Sequence, residues 1–123
     1  MYLSQDWLMR QIQMLGIAIA QLLFGKDSVT YEIEDEKNLT KTDLIYRRLR
    51  ELIAERSLCA AENLLYAEMD TENRDYLQMA VDFYLSLNGL TDQELDAADF
   101  SREEVESGLR DVMKQFDISI PGI

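Results

Sequence analysis

The chain has no histidine, which removes the commonest general base, the commonest zinc ligand and every Ser-His or Cys-His nucleophile pair. It has a single cysteine, Cys59, which excludes an intrachain disulfide and fits a reducing compartment. One proline and five glycines are too few for a turn-rich β fold and favour long helices. Those glycines stand isolated at 16, 25, 89, 108 and 122, so there is no glycine-rich loop to cradle a phosphate. Cations are scarce too. Twelve face 24 carboxylates for a net charge of −12, and residues 57–123 alone hold Arg74, Arg102, Arg110 and Lys114 against fifteen acids, a net of −11. Such a surface repels nucleic-acid phosphates and anionic bilayers, so nucleic acid is not an expected partner. The longest near-unbroken apolar run, residues 14–24, contains Gln21 and falls short of the roughly 20 residues that span a bilayer. Asp6 precedes the first cation, Arg10, and no small-residue cleavage site follows Phe24. The expectation is therefore a cytoplasmic protein with neither a signal peptide nor a membrane span.

What is present is apolar periodicity. The 123 residues are the length of one domain with a sizeable core, and an apolar helix over about residues 5–24 organises it. Leu8, Ile12, Leu15, Ile19 and Leu22 follow an a/d seam along one face. Met9, Gly16 and Leu23, with Ile17 and Phe24 beside them, make a second apolar side. The remaining helices are expected to cover one side, leaving the other for a second copy of the chain in a homodimer; the alternative is that the chain's own domain takes in this helix whole, with the isoleucine tail covering the rest. The residues expected in that self-association face are Leu8, Ile12, Leu15, Gly16, Ile17, Ile19, Ala20 and Leu23. Gly16 and Ala20, four apart, would allow close approach.

Further along, Ser4 is placed to cap this first helix and Gly25 to end it. Residues 26–39 include the alternating stretch Thr30-Tyr31-Glu32-Ile33-Glu34, which suits a short extended piece but reads more simply as a mobile acidic linker. Thr40 or Thr42 opens a second helix with the stripe Ile45, Leu49, Leu52 and Ile53. Ser57 opens a third, to about residue 69, and the short connection at Arg56 and Ser57 predicts a tight antiparallel hairpin. A fourth helix from Thr71 to about Asn88 carries two apolar lines and is placed centrally. Thr91 with Glu94, and Ser101 with Glu104, are capping boxes that predict helices over about 92–98 and 102–116. The isoleucine-rich tail, residues 117–123, is expected to pack down, with a turn at Pro121 and Gly122. The expected fold is all-α, a bundle of five to six helices in one domain over residues 1–123.

The hairpin formed by Ile45, Leu49, Leu52, Leu58, Ala61 and Leu65 resembles one tetratricopeptide unit. It departs from that pattern where Arg56 replaces the turn glycine and Glu68 a small residue, and the helices after it resemble a second, degenerate copy. Over nearly its full length the chain is similar to a family of small bacterial all-helical proteins with no assigned function. The carrying residues run from Asp6 to Ile12, from Ala61 to Leu65, Phe83-Tyr84 with Leu87-Asn88, and Phe100-Ser101-Arg102-Glu103-Glu104 with Gly108-Leu109. That resemblance implies the fold and a bacterial cytoplasmic setting, and brings no catalytic residue.

Carboxylates are the remaining chemical candidates. Glu32, Glu34, Asp35 and Glu36, and likewise Asp92, Glu94, Asp96 and Asp99, lack calcium-loop spacing, and neither group is assigned a metal. Asp82, between Val81 and Phe83, and Glu62, beside Ala61, are the acids whose apolar neighbours would suit acid/base work. Tyr66, Tyr76, Phe83 and Tyr84, with Trp7, are candidates to line a groove for an apolar peptide. The reading is a non-enzymatic helical interaction or scaffold module without cofactor, self-associating and able to hold a partner peptide. The alternatives are an acidic regulator that occupies a basic protein surface, and a carboxylate-based, metal-dependent enzyme.

Overall fold

Hydroxyl, amide and carboxylate side chains set most of the helix starts. The computed structural model describes residues 5–120 and contains six α-helices and no strand among them. Helix α1 (Asp6–Ile19) begins behind Gln5 without a side-chain cap; Ser4 lies outside the described residues. The chain then widens into one π-helical turn, Ala20–Phe24, which Gly25 closes at φ 62° in the left-handed region that glycine tolerates best.

Helix α2 (Lys41–Ala54) opens on a capping box in which the Thr40 hydroxyl accepts from Asp43 N and Thr40 N donates to the Asp43 carboxylate. Helix α3 (Leu58–Ala67) follows three residues later. Ser57 stands at its N-cap but accepts no bond there, and Arg56 takes a left-handed φ of 61°. Helix α4 (Arg74–Asn88) starts two residues later than Thr71 would place it, because the Asn73 side chain accepts from both Asp75 N and Tyr76 N. Helices α5 (Asp92–Ala97) and α6 (Arg102–Gln115) open on the two expected boxes. Each such cap contributes about 1 kcal/mol.

α4 is the central element and packs against α1, α2 and α6, while α2 and α3 pair as a hairpin and α6 also reaches α1. Its two apolar lines are both buried, with Tyr76, Met79, Ala80, Val81, Tyr84 and Leu87 almost free of solvent contact. The described part of the tail packs down, burying Ile120 and half-burying Ile118; Pro121 and Gly122 lie outside the described residues.

Two expectations are corrected. The first concerns the expected self-association face. Leu8, Ile12, Leu15, Gly16, Ile19 and Ala20 are buried within the chain's own core, Leu23 is half-buried, and Ile17 alone of the eight is exposed. The seam is taken up by α4 and α6. Gly16 serves the intramolecular contact, since a Cβ there would stand 2.7 Å from Leu85 Cδ2.

The second concerns residues 26–39, which form a strap packed across α2 and α4. Val29 and Tyr31 are buried, Ile33 is half-buried and the residues between them face solvent. Tyr31 N donates to Asp82 Oδ2 at 3.0 Å and Tyr31 Oη to Asp43 Oδ1 at 2.5 Å. Gln78 Nε2 donates to Thr30 O at 2.6 Å, and the Tyr31 and Tyr46 rings meet at 4.9 Å. Four anchors on one short stretch are incompatible with a free linker.

Candidate functional site

With its seam turned inward, α1 presents its opposite face to solvent. Trp7, Met14 and Ile17 are 65%, 67% and 46% exposed, and Leu22 in the π turn is 62% exposed. Arg10, Gln13 and Gln21 complete this face, all exposed. Residues seven and three apart share one side of an α-helix, so Trp7, Met14 and Ile17 form a continuous strip. Leu44 on α2 is the remaining large exposed hydrophobic residue among those described, and it stands apart from α1 in sequence and element. The segment Asp6–Phe24 is, by length and composition, long and apolar enough to cross a membrane, while its inner face belongs to the core.

The expected peptide groove does not form. Tyr76, Phe83 and Tyr84 are buried in the core, Tyr66 is half-buried, and Trp7 belongs to the exposed strip of α1. Aromatic residues at helical spacing on the central helix are drawn inward by the apolar area they remove from water.

The acids near apolar surface are engaged in structural bonds. Glu62 Oε2 accepts from Tyr84 Oη at 2.6 Å, and Asp111 Oδ2 accepts from Tyr66 Oη at 2.7 Å. Burial, together with these carboxylates, pushes both hydroxyls well above the usual tyrosine range. For Asp43, burial alone would raise the carboxyl. The hydrogen bonds from Tyr31 and Thr40 outweigh it, with Arg47 assisting, and hold the group below its ordinary value. Among the described residues no three His, Cys, Asp or Glu side chains stand together as a metal-binding group.

Asp82 behaves oppositely. Burial raises its carboxyl, against the pull of Tyr31 N–H, Arg50 and Ser86. A carboxyl whose pKa is higher folded than unfolded favours folding as pH falls through the folded value, and opposes it above that value. Asp82→Asn keeps an acceptor for Tyr31 N and removes the charge. It is expected to be more stable than the parent at pH 7, with the difference shrinking as pH falls toward the ordinary carboxylate range near ~4. Urea melts at the two pH values check this, and a variant weaker than the parent at pH 7 contradicts it.

The one buried cation among the described residues is Arg102, only 3% exposed. Its Nη1 donates to Asn88 O at 2.6 Å and lies 3.3 Å from Asn88 Oδ1; its Nη2 donates to Leu90 O at 2.9 Å and Asp92 Oδ1 at 2.6 Å. Asn88 Nδ2 donates onward to Met9 O at 3.0 Å. This node ties α1 to the junction of α4, α5 and α6. Asn88 and Arg102 are among the residues that carry the family resemblance in the sequence, yet Arg102 itself read there only as the residue after a cap. No signal in the sequence marked it as buried.

Six helices with α4 at the centre, an internal arginine node and an outward apolar strip define a small acidic all-α bundle protein. Residues 2–117 match DUF6483, a family of unknown function, and the chain belongs to that family. No curated protein and no solved structure matches it.

Proposed function

We propose that this chain is a non-enzymatic helical interaction module whose docking surface is the outer face of α1. The supporting observation is the exposure of Trp7, Met14, Ile17 and Leu22 on a helix whose other side already closes the core. Soluble chains seldom leave a strip of this kind to water without a partner. The fixed structural roles of Glu62, Asp82 and Asp111 speak for a scaffold rather than acid/base chemistry. The proposed setting is the bacterial cytoplasm, supported by a free, exposed Cys59 in a chain without a disulfide.

The test is site-specific photocrosslinking in living cells with a benzophenone side chain at position 17, compared with position 103. Both positions are exposed, but Glu103 lies on acidic α6. A discrete crosslinked species at 17 and none at 103 is the expected result. Equal, diffuse labelling at both positions would remove the docking face.

A further inference from the structure

We infer that the occupant of this face is a second copy of the same chain, paired antiparallel about a two-fold axis near Met14 and Ile17. The inference rests on the docking face proposed above and specifies its partner. Three observations carry it. The first is charge. Its exposed ionic side chains are one acid and one base, Asp6 and Arg10, and Gln13 and Gln21 beside them are neutral, whereas the chain as a whole is at −12. A second copy is therefore matched at this face, while the acidic remainder of each copy points away.

The second observation is register. With Met14 set opposite Ile17 of the second copy, Arg10 falls opposite Gln21 and Trp7 opposite Phe24. The two Arg10 side chains then stand about 16 Å apart along the helices, beyond the roughly 8 Å over which charges act at physiological salt. A parallel pair would instead place Arg10 against Arg10. The antiparallel arrangement also sets the two helix dipoles against each other favourably.

The third observation is size. Trp7, Met14, Ile17 and Leu22 present on the order of 450 Å² of apolar surface, within the range of a monomer's largest functional patch. With the glutamines at the rim, a pair buries about 1,000 Å² in total at most. That is the low end of specific interfaces and corresponds to a reversible dimer, micromolar rather than obligate. A closed pair using the same patch twice is the commonest assembly for such a surface.

Trp7 is the only tryptophan and sits within the proposed contact, so the protein carries its own reporter. The test is sedimentation equilibrium of the full chain from about 1 to several hundred micromolar, with tryptophan emission recorded over the same series. The expected result is a shift from 14.3 kDa toward twice that mass, accompanied by a blue shift of Trp7 emission. Ile17→Glu is expected to abolish both while leaving the far-ultraviolet circular dichroism unchanged and, at concentrations where the parent is monomeric, the melting temperature too, since Ile17 is already solvent-exposed. Leu44→Glu, exposed on α2, is expected to change neither. A monomer at every concentration, or a dimer that Ile17→Glu leaves intact, overturns the second copy as occupant.

The photocrosslinking result separates the two readings. A crosslink at position 17 to a different protein, with a monomer in solution, keeps the docking face and removes the self-contact. A monomer whose Trp7 emission shifts only on adding phosphatidylcholine vesicles overturns the self-contact in favour of lipid.

Discussion

Arg102→Ala is expected to remove about 3–5 kcal/mol of folding stability, the range seen when one partner of a buried charged network is deleted. The guanidinium satisfies two backbone carbonyls, Asn88 O and Leu90 O, and meets both the Asn88 side chain and Asp92. Without it those carbonyls stay buried with no donor, and each orphaned group adds about 1–3 kcal/mol of desolvation penalty. Arg102→Lys is expected to recover only a minor part, because an ammonium cannot reproduce the planar fork that spans Asn88, Leu90 and Asp92. Urea denaturation midpoints of the parent and both variants measure this. A small domain has only about 5–15 kcal/mol in all, so the alanine variant sits near the threshold of folding and the lysine variant gives the usable comparison. A lysine variant as stable as the parent would contradict the role assigned to the fork.

Gly108→Ala should destabilise by about 1–3 kcal/mol, although the same substitution on an open helix surface stabilises by roughly 1 kcal/mol. The sign reverses because a Cβ at position 108 would stand 2.1 Å from Tyr84 Cε1 and 2.3 Å from Cζ. The ring cannot step aside. Tyr84 is fully buried, and its hydroxyl is tied to Glu62 at 2.6 Å. Repeating the substitution in a Tyr84→Leu background should show a much smaller loss, since contacting residues are not additive. Equal losses in both backgrounds would mean that the glycine is not there to admit the ring.

How much of this was legible in the sequence depends on the range of the forces involved. Capping is local: Thr91 with Glu94 and Ser101 with Glu104 were readable because hydroxyl and carboxylate act across a single turn. The start of α4 was misplaced at Thr71 because two cap-competent residues lie two positions apart, and Asn73 takes the role through its double bond to Asp75 N and Tyr76 N. The strap was half legible. Val29, Tyr31 and Ile33 alternate with exposed residues, but the partners that pin them, Asp43, Tyr46 and Asp82, are distant in sequence.

Burial of Arg102 was not legible, since whether an arginine at the first helical position faces water depends on where the α4–α6 connection leaves its carbonyls. The apolar seam was read on the correct helix, but the chain itself covers it. Periodicity identifies an apolar face without saying whether the chain itself will cover it.

The π turn at the end of α1 shows why the seam read from sequence overran by one residue. In a straight helix Leu22 would continue the row Leu8, Ile12, Leu15 and Ile19. Each residue advances about 100° around the axis, and a wider turn admits one extra residue before the ladder closes at Gly25. The extra residue acts as a phase slip. The inward position passes to Ala20, which is fully buried, while Leu22 rotates outward to 62% exposure. The same leucine would belong to the interior or to the exterior of the molecule according to whether this single step of angular phase is inserted or skipped, so the boundary between core and solvent-exposed surface is set here by backbone winding rather than by residue chemistry.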